Sequence, residues 1–211
     1  MKNSITFLLL LGVIYSVSAQ DAYFSVGRNF TTYDYVDSSG GSNSNIKGGT
    51  GSSYEIGVIL KPYDNIGVAL GVTLNEFNAT GGTLIDNYTW DTNYLGLQGV
   101  LKYKLIGGSG KWSNRNEGFS MYINAGVNLN SLINGQQKIN GQTFDLTQSS
   151  EFNGFFMQPL VGFDLSYSIT DSISFGLGYH FSKNFRASTS GDETLKINNN
   201  QLQFNVLMSL Y

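Results

Sequence analysis

His180, Ser182 and Glu193 are the side chains whose types and spacing come nearest to a reaction centre. An imidazole base, a hydroxyl and an orienting carboxylate are the parts that ester hydrolysis requires. Residues two apart on a strand share a face, so His180 and Ser182 would point the same way, with Glu193 in a following loop. No other catalytic grouping stands out. The chain has no phosphate loop, no paired metal-ligand spacing and no Gly-x-Ser-x-Gly elbow. Its zero cysteines exclude disulfides, thiol catalysis and thiolate metal sites, and also the cysteine that a lipid anchor needs. With one histidine, an imidazole metal site would need carboxylates that are not nearby in sequence. The other titratable groups of interest are Glu55, Lys61, Lys102, Lys104 and Asp164. Their meaning depends on which way the backbone turns them.

The elements that position these groups are read from a two-residue rhythm. In Phe119–Leu129 one phase is Phe119, Met121, Ile123, Ala125, Val127 and Leu129, and the other is Ser120, Tyr122, Asn124, Gly126 and Asn128. Side chains on a strand alternate faces, so one face is apolar and the other polar, small or glycine. The split recurs about eight times, as in a transmembrane β-barrel with lipid outside and a polar lumen inside. Eight strands are expected at 22–35, 54–62, 66–79, 92–105, 118–130, 156–169, 172–184 and 200–211. Tight turns join them at 63–65 and 170–171, and a longer connection at about 107–117. Long loops rich in Gly, Ser, Asn and Thr fall near 37–53, 80–91, 131–155 and 185–199. This asymmetry is the outer-membrane pattern, with short turns on the periplasmic side.

Composition agrees. Only 13% of residues are charged, about half the share usual in a soluble domain. A net charge of -3 argues against a nucleic-acid partner, which would call for clustered Lys and Arg. Lys2, an apolar core around Ile5–Tyr15 and the small residues Val17-Ser18-Ala19 before Gln20 make a signal peptide at 1–19, leaving 20–211 as the barrel domain. That core is shorter than the ~20 residues a spanning helix takes.

The outward phase includes Tyr54, Ile56, Val58 and Leu60; Ile66, Val68, Leu70, Val72 and Leu74; and Leu95, Leu97, Leu101, Tyr103 and Leu105. It continues through Val161–Ile169, Ile173–Phe181 and Leu202–Leu210 at alternate positions. A soluble, lipocalin-like barrel would turn this phase inward and expose the other one. The other phase reads Gly67, Ala69, Gly71, Thr73, Ser174, Gly176 and Gly178, not the charged exterior that solvation calls for. Turned inward, it puts Glu55, Lys61, Lys102, Lys104, Asp164 and His180 in the lumen. Side chains just fill an eight-stranded interior, and buried ions must pair. A structural salt-bridge plug is expected, with Asp164 facing lysines near the periplasmic ends. His180 and Ser182 then face away from lipid, so no catalytic residue is expected. Arg28 breaks the pattern by sharing the outward phase of Phe24, Val26 and Phe30. At mid-membrane this would cost about 2–4 kcal/mol, so a β-bulge there or a protein partner is expected. Tyr88-Thr89-Trp90 is an exposed aromatic pair able to stack on sugars or anchor at the membrane surface.

The stretch Tyr94-Leu95-Gly96-Leu97-Gln98-Gly99-Val100-Leu101-Lys102-Tyr103-Lys104-Leu105, with Gly27-Arg28-Asn29-Phe30 and Gly178-Tyr179-His180-Phe181, resembles the small PorT-like outer-membrane barrels of Bacteroidota. In these a Tyr-Leu-x-x-Pro-x-x-Leu-Lys-Tyr strand precedes a periplasmic turn. The resemblance implies outer-membrane location, in a group that spans secretion-system components and barrels of undefined role. His180-Phe181-Ser182 with Glu193 is similar to the His-x-Ser pattern of outer-membrane lipid A deacylases, with Lys183 where those carry Asn. The reading that results is a small outer-membrane barrel with a closed lumen and a structural, surface-interaction or accessory role. A narrow channel or carrier for small solutes is the alternative, and a membrane-embedded lipid hydrolase a second. Outer-membrane lipid and other envelope proteins are the expected partners; no cofactor and no metal are expected.

Overall fold

The computed structural model describes residues 20–36, 46–63, 65–82, 87–107, 118–147, 154–184 and 194–210. The expected signal peptide 1–19, Glu193 and Tyr211 lie outside them. Among the described residues nine strands form: β1 Gln20–Val36, β2 Ile46–Tyr63, β3 Ile66–Gly82, β4 Asn87–Ile106, β5 Phe119–Ile139, β6 Gln142–Asp145, β7 Phe155–Ser168, β8 Ile173–Lys183 and β9 Thr194–Ser209. Eight of them make an antiparallel ring. Its order is β4-β3-β2-β1-β9-β8-β7-β5, and β5 pairs back onto β4 to close it. The chain is an up-and-down eight-stranded barrel. Short turns gather at one rim; at one of them Thr170 Oγ1 accepts from the backbone N–H groups of Ser172 and Ile173 at 3.3 and 3.0 Å.

Several strands outrun their expected limits. β1 to β5 hold 17 to 21 residues, about twice the 9–11 that a tilted strand needs to cross a bilayer. The stretches expected as loops at 37–53, 80–91, 131–155 and 185–199 are therefore partly strand. β5 runs on to Ile139 and turns through Asn140 (φ 49°) and Gly141 (φ 84°) into β6. Two positive φ values in an Asn-Gly pair make the turn whose twist suits a hairpin. β6 pairs only with β5, so the hairpin stands above the rim.

Side-chain direction follows the strand period. Outward apolar residues are exposed all round the ring, among them Ile56, Leu97, Val161 and Leu177 at 56–64%. Above this belt the polarity inverts. On β1 the outward residues become Thr32 and Asp34 while Tyr33 is buried inside. On β3 they become Glu76 and Asn78 while Phe77 and Ala79 are buried inside. On β4, Asn93 and Asp91 replace leucines outside, and Tyr94 is buried inside. A bulge at Asn93/Tyr94 leaves Ile133 as the extra residue of β5, 52% exposed, and switches that strand's inward phase to Gly135. Tyr33, Phe77, Tyr94, Leu146, Phe156 and Ile197 form an apolar cluster inside the barrel toward the long-loop rim. The Tyr94 ring lies 5.5 Å from Phe77 and 5.1 Å, edge-on, from Phe156. The mostly polar lumen expected from sequence is interrupted by this cluster and by a second one, of Tyr23, Ile59, Ala69, Val100 and Leu160, at the level of the belt.

Arg28 sits at the margin where the inversion happens. Pairing of β1 with β2 and β9 is continuous past it, so the expected bulge is absent and the side chain faces outward. Its company is from the same chain. Nη2 donates to Thr50 Oγ1 at 3.1 Å, and its charge acts on the Glu76 carboxylate. Glu76 in turn accepts from Ser52 N at 2.8 Å and Asn78 Nδ2 at 3.0 Å. Arg28 thus lies in a polar patch of the barrel wall.

The absence of native cysteine makes the two faces separable in experiment. In protein reconstituted into liposomes, single cysteines at Val127 and Leu177 are expected to resist a membrane-impermeant maleimide. Thr143→Cys, on the exposed β6, labels readily. Fast labelling at Leu177 would mean that the belt meets water.

Candidate functional site

The lumen network is built by a rule of neighbours: a long inward side chain reaches over glycine on the next strand. Tyr23, Gly57, Gly71 and Gln98 are successive partners across β1, β2, β3 and β4. A Cβ on Gly57 or Gly71 would lie 2.7 or 2.5 Å from the Tyr23 hydroxyl, so the tyrosine ring lies along the wall in the space that the glycines leave. Its hydroxyl donates to Glu55 Oε1, which also accepts from Gln98 Nε2 at 2.7 Å.

The same logic runs on the other side. Lys102, Asn124, Gly162 and His180 are successive partners across β4, β5, β7 and β8. A Cβ on Gly162 would stand 2.3 Å from His180 Cδ2, so the imidazole lies over Gly162. From there Nε2 lies 3.0 Å from Asn124 Nδ2 and 3.3 Å from Asp164 Oδ1. Asp164 is paired with Gly178 on β8 and leans over it. Its Oδ2 forms the ion pair with Lys102 Nζ, the lysine side chain being 13% exposed and the aspartate 4%.

All six residues singled out in the sequence lie on the lumen phase, but they do not form one plug. Lys102, Asp164 and His180 are in contact, with Glu55 held by Tyr23 and Gln98. Lys61 pairs with Asp21 instead of Asp164. Asp21, the second residue of β1, falls outside the expected first strand, which begins at 22. Lys104 is buried near the short-turn rim, where its backbone N–H donates to Asn65 O at 2.9 Å. Tyr23, Gln98 and Asn124 are further members that sequence reasoning does not single out. The signal that finds them is an inward glycine whose register partner is large and polar.

Among these groups lies a chamber of about 30 Å³, lined by Glu55, Lys102, Asp164 and His180 on the polar side and by apolar residues such as Ile59, Val100 and Leu207. At the ~10–15 Å³ that a water molecule requires, it has room for about two. His180 and Ser182 both face the lumen and are buried, and Nε2 of the imidazole meets Asp164 and Asn124. His180 and Ser182 are thus turned away from the lipid belt.

Removing one member of a buried ion pair leaves an uncompensated charge, which costs about 3–5 kcal/mol. Asp164→Asn is expected to lower the unfolding free energy by that order, read from urea titration of the lipid-folded protein. Lys102→Met combined with Asp164→Leu is expected to recover most of the loss, because exchanging a whole pair for apolar groups is often near neutral.

No family model matches the chain, and no curated protein matches it in sequence. Solved structures do match in fold. The outer membrane protein OprG from Pseudomonas aeruginosa, at 11% identity, aligns over 92% of this chain and 97% of its own with a TM-score of 0.57. A major outer membrane protein from Thermus thermophilus, at 14% identity, aligns over 90% and 99% with a TM-score of 0.49. Neisserial surface protein A, also at 14%, aligns over 89% and 96% with a TM-score of 0.48. At such identities the likeness is one of fold: this chain folds like the small eight-stranded barrels of outer membranes.

Proposed function

We propose that the protein is a closed outer-membrane barrel that works through its long-loop face, in a structural, surface-interaction or accessory role, and is neither a channel nor an enzyme. The observation that carries this reading is the filled lumen. Aromatic rings occupy it toward the long-loop rim, a charge cluster lies in the belt region, and the chamber between side chains has room for about two waters. The exposed apolar belt supports lipid as the principal partner. The β5–β6 hairpin, with Phe144 46% exposed, offers a surface for another envelope protein.

Export by the segment 1–19 and kinship with the PorT-like barrels of Bacteroidota belong to the same reading. In the Tyr94–Leu105 stretch behind that kinship, Leu95, Leu97, Leu101 and Tyr103 are exposed on the belt while Gln98 and Lys102 face inward. This is the alternation that barrel geometry demands of any such strand. The non-catalytic reading is supported by the enclosure of His180 and its contacts with Asn124 and Asp164.

Two measurements check the proposal. In planar bilayers the purified protein is expected to give no steady conductance, and in liposomes no swelling with small sugars or amino acids; a stable open level would establish the channel reading. Lipid A from cells expressing the protein or its His180→Ala variant is expected to carry the same acyl chains. Loss of an acyl chain only with the unaltered protein would establish the hydrolase reading.

A further inference from the structure

We propose that the outward wall of β1, β9 and β8 holds a phosphate-bearing membrane lipid of the leaflet on the long-loop side, with Arg28 and Lys183 on its headgroup. The inference rests on the membrane reading above and adds a binding site to it. Lys183 is the first outward residue of β8 beyond Phe181, the last apolar one of the belt on that strand. Arg28 stands on β1 between the belt residues Val26 and Phe30. Both cations therefore lie at the edge of the apolar belt. Tyr179 marks the same level. Its hydroxyl donates to Asn200 Oδ1 at 2.6 Å, and amphipathic rings of this kind gather where headgroups begin.

Register brings the two cations together. Arg28 opposes Leu202 and Lys183 opposes Asn198, so they flank β9 four residues apart along it. That is about 13 Å along the strand and two strand spacings, about 10 Å, across it. Tilt removes most of the difference in height. Register partners followed from Asp21 across β2, β3, β4, β5, β7, β8 and β9 return to β1 at Thr31, ten residues nearer the long-loop rim. A row of partners therefore descends from β1 through β9 to β8. At the roughly 35–45° tilt of such barrels the two cations end within about 4 Å of one level. Below them Leu177, Tyr179, Leu202 and Phe204 are exposed and give acyl chains an apolar surface to lie on.

Charge points to an anionic headgroup. Among the described residues the outward charges of β1, β8 and β9 are Arg28, Lys183 and Lys196 against Asp34, an excess of two positive. On the opposite wall β4, β5 and β6 present Asp91 and Asp145 against Lys138, an excess of one negative. The carboxylates near the cations are engaged within the wall. Asp34 lies across from Lys196 and accepts from Asn198 Nδ2 at 2.9 Å. Glu76, whose charge meets Arg28, accepts from Ser52 N and Asn78 Nδ2. Along β9 the outward neighbours of Lys183 are Asn200, Asn198 and Lys196. A phosphate supplies the missing negative charge and takes charge-assisted hydrogen bonds from guanidinium and ammonium alike.

The probe is phosphatidic acid, set against phosphatidylcholine with the same acyl chains. Because the chain has no cysteine, Leu202→Cys carries a fluorophore beside the site and Leu97→Cys one on the opposite wall. Either lipid is supplied brominated in its chains, and quenching of each label reads the local preference between the two. The label at 202 is expected to favour phosphatidic acid, by roughly fivefold for each cation, and the label at 97 to show no preference. Arg28→Gln with Lys183→Gln is expected to abolish the preference at 202, and Lys138→Gln to leave it unchanged. Heat-modifiable gel mobility in pure phosphatidylcholine shows that the barrel has inserted, so a failed membrane reading is told apart from a failed site. Equal preference at the two labels, or a preference that survives the double substitution, would overturn the proposal. So would full displacement by soluble glycerol 3-phosphate, which would make this a site for free phosphate. Self-quenching between labels at 202 in pure phosphatidylcholine would overturn it too, by giving the wall to a second copy of the chain.

Discussion

A bilayer core has no water to satisfy a peptide group, so a sheet can reside there only if it has no edge. The β4–β5 ladder meets that condition. It joins Tyr88–Ile106 to Met121–Ile139 along nearly the whole of both strands, and β1 lies between β2 and β9 across the opposite side of the ring. A free strand edge remains on β6, which pairs only with β5 and stands above the rim. Exposed edges are tolerated when short, and this one has four residues.

Once the ring is closed, the surroundings decide which phase of each strand is apolar. In the belt the outward residues are Val26, Tyr54, Leu74, Leu95 and their neighbours. A few residues further along the same ring the apolar side chains are Tyr33, Phe77 and Tyr94, inside. Pairing of β1 with β9 and of β3 with β4 runs on through the switch, while β2 takes up a register shift against β3 between Gly48 and Ser53. The environment has exchanged lipid for water, and the burial of apolar area follows. Arg28 and Glu76 fall at this exchange, with Thr50, Ser52 and Asn78 around them. An outward arginine is tolerated where it has such partners, whereas deep in lipid it would not be.

The inversion also explains what is legible in the sequence. Apolar alternation locates all eight ring strands and their outward faces, because within the belt the lipid-facing positions are nearly all apolar. It stops short at 79 on β3, 92 on β4 and 130 on β5, because there the alternation continues with its phase reversed and ceases to look like the same strand. Asn140-Gly141 is the cue for the hairpin that follows, and it is hidden inside a segment whose composition reads as loop. At the lumen, inward phase identifies Lys102, Asp164 and His180, since facing the interior depends only on parity. Partner choice does not. Whether Lys61 meets Asp164 or Asp21 depends on register across strands far apart in sequence, and parity carries no information about that.

Register in turn works through glycine. At several places in this narrow ring a large inward side chain lies over a cross-strand glycine. Tyr23 lies over Gly57 and Gly71, His180 over Gly162, Asp164 over Gly178, and Tyr88 over Gly81. Each pairing holds only at one offset of the two strands, because a slip of one residue would turn the side chain to the lipid face. For Tyr23 a slip of two would set it against Glu55 or Ile59, each of which has a Cβ. The glycines therefore do for the interior what the leucines do for the exterior: they permit one alignment and penalise the rest. The polar groups delivered by that alignment sit where ions and amides must find each other. An enclosed cluster of this kind follows from closing a ring of eight strands around side chains that lipid would not accept.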